Sequence, residues 1–137
     1  MSVATRYLLD TDIFIHIRRG SSREAVRRFE RLQVDDAAMS IISYGELIYG
    51  AEKSRSRDQA LDALRDLVTQ IRVLPLPKAA GELYGAMRAE LERRGEMIGG
   101  NDLWIAAHAR AEGLTLVTNN EREFKRITGL KIENWTR

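Results

Sequence analysis

Residues 5–10, TRYLLD, read as a short apolar strand closed by an aspartate. An acid in that position lies at the carboxyl edge of a parallel sheet, where the ligand crevices of open α/β folds form. Working outward, IFIHIRR (13–19) reads as a short helical stretch stopped by Gly20. Ser21 and Glu24 have capping-box spacing, so a helix is expected over about 22–34, with Ala25, Val26, Phe29 and Leu32 on one face. AMSII (38–42) reads as a second strand, and Ser43 then caps a helix to about Lys53 with Glu46 in its first turn. The polar break SRSRDQ (54–59) overlaps the start of helical spacing over 58–71. RVLPLP (72–77) is a strand ended by proline, and Pro77 opens a helix that Gly95 ends after Arg94. GEMIGG (95–100) is a loop, and Asn101 and Asp102 start a helix whose centre, LWIAAHA, is apolar nearly all round and so buried. LTLVT (114–118) is a clear strand, EREFKRI (121–127) a short helix, and LKIENW (130–135) a final strand. This alternation implies an α/β sandwich with a mainly parallel central sheet of about five strands flanked by helices, in a single domain over 1–137.

Composition narrows the chemistry. The chain has 137 residues, 44% hydrophobic and 31% charged, which suits a soluble globular core. The absence of cysteine excludes disulfides, thiolate zinc sites and cysteine nucleophiles, and two histidines exclude a histidine-rich metal site. No apolar run is long enough to span a membrane, and the first residues lack the pattern of a signal peptide, so a cytoplasmic protein is expected. The net charge of +2 is small, but its distribution is uneven. Arg18, Arg19, Arg23, Arg27, Arg28 and Arg31 face only Glu24 and Glu30, which makes 18–31 a basic stretch. That stretch is either a solvated helix face or a grip for phosphates.

Three acids stand where strands end or helices begin. Asp10 closes the first strand, where it or Asp12 could equally cap the following turn. Glu46 sits among Ile41, Ile42, Leu47 and Ile48, and a carboxylate in such surroundings needs a partner. Asp102 opens the buried helix, either as an ordinary complement to the helix dipole or, if Asn101 is the cap, free to point elsewhere. After the fourth strand, Asn120 or Glu123 can complete a polar cluster. Carboxylates gathered in one pocket cannot all stay ionised without a cation. Oxygen ligands without Cys or His select Mg2+ or Mn2+. Metal-assisted hydrolysis of a nucleic-acid backbone is the reaction such a pocket suits. His108 and His16 read as structural, and Trp104, Trp135, Tyr44 and Tyr49 as core or intersubunit contacts. No phosphate-binding glycine motif is present.

YLLDTDI, SYGELIYGAEKS, IGGNDLWIAAHA and LVTNNEREFKRITGLKIENW resemble, block by block and in order, the PIN-domain ribonucleases, and most closely the VapC toxins of bacterial toxin–antitoxin pairs. The resemblance implies that Asp10, Glu46 and Asp102 hold Mg2+ or Mn2+ and carry catalysis, with Thr11 and Ser43 orienting them. Asn120 stands where some relatives carry aspartate, and Glu123 can replace the missing carboxylate. It also implies cleavage of structured RNA (tRNA or rRNA) with inhibition of translation, a homodimer and a small VapB-like antitoxin. Arg18, Arg19, Arg23 and Arg27 are the candidate RNA contacts. Two other classes remain: a PIN-like module that binds RNA or protein without catalysis, and a phosphatase that uses Asp10 and Asp12 as a DxD pair.

Overall fold

The computed structural model describes residues 5–33 and 35–136. The chain runs β1 (Tyr7–Leu9), α1 (Thr11–Arg19), α2 (Arg23–Glu30), β2 (Ala37–Ser40), α3 (Ile41–Glu52), α4 (Arg57–Leu67), β3 (Arg72–Leu74), α5 (Lys78–Arg94), α6 (Gly100–Glu112), β4 (Thr115–Val117), α7 (Glu121–Phe124) and β5 (Ile132–Glu133). The five strands form one sheet in the order β3-β2-β1-β4-β5, and every pairing is parallel.

Side chains alternate across a strand, so each strand feeds two cores. Leu8 and Leu116 point to the face covered by Ala80, Met87, Leu91, Ile105 and Phe124. Leu9 and Val117 point to the other face, with Ile13, Phe14, Met39, Leu64 and Trp135. Burial on both faces explains why the strands read as continuous apolar runs. Each fully buried Leu, Ile or Phe contributes about 1.5–3 kcal/mol. Trp135 is in this core, edge-on to Tyr7.

The element ends depart from the sequence reading in instructive ways. Ser22, not Ser21, caps α2 by accepting the Ala25 N–H, and Ser21 instead meets the His16 ring. The expected helix end at 34 lies outside the described residues, and the described helix stops at Glu30. The second strand ends at Ser40, whose hydroxyl accepts the Ile42 N–H and starts α3 three residues before Ser43. Glu46 therefore sits in the second turn, where the helix N-terminal dipole no longer reaches it. α6 begins at Gly100 with no side-chain cap, so Asn101 is not its cap.

Ser40 does a second job. Its hydroxyl lies 2.7 Å from Nδ1 of His108 on α6, and both side chains are fully buried. The pair ties the start of α3 to the middle of α6. Burial holds the His108 pKa below the ordinary imidazole value, so the ring stays neutral. Replacing Ser40 with alanine removes a helix cap and strands a buried ring nitrogen. Ser40→Ala is expected to cost about 2–3 kcal/mol in urea unfolding; a loss below about 0.5 kcal/mol would show the tie to be dispensable.

Candidate active site

β1 lies between β2 and β4; from β1 the chain runs on to β2 and β3 on one side, and from β4 it runs on to β5 on the other. Connections that diverge in this way open a crevice beyond the carboxyl ends of the two central strands. Asp10 fills the floor of that crevice. Its N–H continues the ladder to the Val117 carbonyl at 2.9 Å. One carboxylate oxygen accepts the Thr11 N–H at 2.8 Å, which caps α1, and the other accepts the Thr118 hydroxyl at 2.8 Å. Thr118 in turn accepts the Asn120 N–H at 2.9 Å, so its hydroxyl is used in both directions. Asp10 is only 4% exposed. Burial pushes its carboxyl up to about 7, helped by the charges of Asp102 and Asp12 and opposed by the bonds from Thr118 and Thr11.

Other elements bring further acids to this edge. The Thr11 hydroxyl donates to one oxygen of Glu46 at 2.7 Å, and the Asn101 amide donates to the other at 3.3 Å. Asp102, in the first turn of α6, is half-buried. Its carboxyl is pushed up to about 6, first by lost hydration and then by Glu123, Glu46 and Asp12. Carboxylates at 10, 12, 46 and 123 thus each fall within electrostatic reach of Asp102. Among the described residues, none of the five is in an ion pair with lysine or arginine.

The donor set is all oxygen and carries uncompensated negative charge, which fits a hard divalent cation. As packed, no three His, Cys, Asp or Glu side chains among the described residues converge closely enough to grip one ion. Hydrogen bonds engage both oxygens of Asp10 and both of Glu46, and like charges keep the carboxylates apart.

The remaining expected residues divide. Thr11 orients Glu46, as expected of a supporting hydroxyl. Ser43 does not: it is buried and its hydroxyl has no hydrogen-bond partner among the described residues, because the earlier helix start turns it into the protein. Asn120 contributes its backbone N–H to Thr118, and its side chain forms no cap. Glu123, in α7, acts on Asp102 through its charge. Arg18 and Arg19, at the end of α1, line a groove with Thr11 and Glu46. Arg23 faces a different hollow with His16 and Asn119, and Arg27 pairs with Glu24 at 3.4 Å on the exposed face of α2. Trp104 stacks on Tyr84 with ring centroids 3.9 Å apart, while Tyr49 is 65% exposed and so is not a core residue. Thr118 went unrecognised in the sequence; the only signal is a hydroxyl residue that directly follows the fourth strand.

Two results are expected from this geometry. An acid whose folded pKa is raised holds a proton that the unfolded chain has already lost, so stability falls as pH rises from the unfolded value of 3.8 towards about 7. The metal-free protein should therefore melt at least about 3 °C higher near pH 5 than near pH 8; equal melting temperatures would contradict the buried-acid assignment. Thr118→Val removes the bond that favours the ionised form, so a carboxyl-carbon NMR titration should place the Asp10 midpoint higher than in the parent. An unmoved midpoint would separate Thr118 from Asp10.

Comparison with known proteins agrees with this architecture. The PIN domain family pattern matches residues 7–130. The chain is 39% identical over 130 residues to Ribonuclease VapC2 of Haemophilus influenzae, covering 95% of this chain and 98% of the relative. It is 40% identical over 131 residues to the tRNA(fMet)-specific endonuclease VapC of Shigella flexneri, covering 96% and 98%. Among solved structures, DNA-bound VapBC from Salmonella typhimurium superposes with a TM-score of 0.89 at 38% identity, over 96% of this chain and 98% of that one. VapBC2 from Rickettsia felis, bound to a DNA fragment from its promoter, gives 0.87 at 38% identity, over 96% and 99%. These matches set aside the phosphatase reading of Asp10 and Asp12. A parallel five-stranded sheet with its acids at the β1/β4 crevice, matched along almost its whole length, makes this chain a member of the PIN-domain family and of its VapC ribonuclease branch.

Proposed function

We propose that the chain is the toxin of a VapBC-type pair, an endoribonuclease that hydrolyses phosphodiester bonds in structured RNA and so stops translation. A tRNA is the first substrate to test, because the relative named for tRNA(fMet) is 40% identical along nearly the full chain. The observation that carries the reading is the set of uncompensated carboxylates at the carboxyl ends of β1 and β4.

Asp10, Glu46 and Asp102 are the residues that would hold Mg2+ or Mn2+. When bound, such an ion lowers the pKa of water and offsets charge on the phosphodiester. The chain's own groups do the rest. The Thr118 hydroxyl and the Thr11 N–H fix the Asp10 carboxylate. Thr11 and Asn101 fix Glu46. Both Glu46 oxygens are engaged, whereas the Asp102 carboxylate makes no hydrogen bond among the described residues, which favours Asp102 as proton acceptor from the attacking water. Arg18 and Arg19 border the groove and suit the phosphates flanking the scissile bond. Arg23 and Arg27 lie farther round and would touch only a longer substrate. The solved relatives are toxin–antitoxin complexes, which supports a VapB-like antitoxin partner for this chain; that the toxin is a homodimer rests on the family resemblance alone. An antitoxin cation offered to the carboxylates would neutralise them as a metal does.

Cleavage mapping on total cellular RNA tests the activity. Asp10→Asn and Asp102→Asn, which remove charge with little volume, should each lower cleavage at least about 100-fold. Full activity in either variant would remove that residue from the chemistry. Millimolar Mn2+ should raise the melting temperature of the parent, because only the folded chain presents the site. The rise should shrink in Asp10→Asn, and no rise in the parent would argue against a metal pocket.

A further inference from the structure

On the α5–α6 flank, away from the β1/β4 crevice, a cavity of about 120 Å³ is lined by Met87, Glu90, Leu91, Arg94, Arg110 and Arg126. Three arginines line so small a space, and their like charges repel one another unless something offsets them. The local acids do so only in part. Glu90 is bound by Arg93 at 2.6 Å, and Glu96 pairs with Arg94 at 2.9 Å. Arg126 donates to the carbonyl of Met97 at 2.9 Å, and Arg94 donates to the Arg126 carbonyl. Bonds to carbonyls hold a guanidinium in place without cancelling its charge. Among the described residues neither Arg110 nor Arg126 is in an ion pair.

The setting of Arg110 is specific. Its guanidinium packs on Gly129, where an added Cβ would lie 3.1 Å from Nε. Gly129 also has φ +82°, so only glycine meets both demands at low cost. Arg110 comes eight residues after Asp102 on α6, about 12 Å along the helix axis. Arg126 comes three residues after Glu123 and grips the loop that leads into α6. The cavity is thus built on two of the segments that carry site acids.

We propose that Arg94, Arg110 and Arg126 form a phosphate-binding pocket that holds the RNA backbone a few nucleotides from the scissile bond. This rests on the ribonuclease reading above. Bidentate guanidinium groups suit a phosphate, and the fixed spacing from Asp102 makes the pocket a ruler for substrate placement.

The test is RNA binding without cleavage, in EDTA and on the Asp10→Asn background, read by fluorescence anisotropy over a salt series. Adding Arg110→Ala should weaken binding by about tenfold. It should also reduce the slope of log affinity against log salt by about 0.7–0.9, the signature of one lost phosphate contact. Arg110→Glu should weaken binding further, and Arg65→Ala, on exposed α4, should leave it unchanged. The Arg110 side chain makes no hydrogen bond or ion pair among the described residues, so these variants should stay folded by circular dichroism. Unchanged affinity and slope in both Arg110 variants, with the background protein binding RNA, would overturn the pocket and leave the ribonuclease reading standing. Failure of the background protein to bind RNA, in EDTA and again with Mg2+ restored, would sink both.

Discussion

A carboxylate buried at the carboxyl ends of two paired central strands governs this molecule. Asp10 continues the β1 ladder, caps α1 and accepts the Thr118 hydroxyl from the neighbouring strand's end, all within one residue. Its desolvation is costly, and two hydrogen bonds only partly offset it, so its carboxyl remains raised to about 7. The site is thereby kept short of positive charge and rich in oxygen donors, at the place where a parallel sheet opens to ligands.

The surrounding framework serves that constraint. α3 and α6 bring Glu46 and Asp102 to the same edge, and the buried Ser40–His108 contact fixes one helix to the other. Thr11 extends the frame by bonding Glu46 across from α1. Positive charge lies outside this centre: Arg18 and Arg19 line the groove beside Glu46, and Arg94, Arg110 and Arg126 gather on the far flank of α6. A negative centre with positive margins is the charge pattern that a polyanion handled through a cation requires.

Much of this was legible in the chain. Short apolar runs ending in polar residues marked the strands, and glycines at 20 and 95 mark helix ends because each adopts positive φ. The acids at 10, 46 and 102 stood out because they interrupt or terminate apolar stretches. Less legible were the caps. Ser40 and Ser22 displaced Ser43 and Ser21, since neighbouring serines have equal local propensity and the choice depends on what each hydroxyl meets. For Ser40 that is His108, distant in sequence.

Residue order and polarity by themselves determined the alternation of strands and helices, the burial of both sheet faces and the placement of acids at element ends, because these follow from local periodicity and chain stiffness. Only the tertiary structure decided that β1 pairs with β4. That pairing sets Asp10 beside Thr118, while helix packing on the sheet couples Asp102 to Glu123 and Glu46 and brings Arg110 against Gly129. Strand neighbours, and every contact across them, are fixed by packing of the whole sheet, a property that no short window of sequence contains.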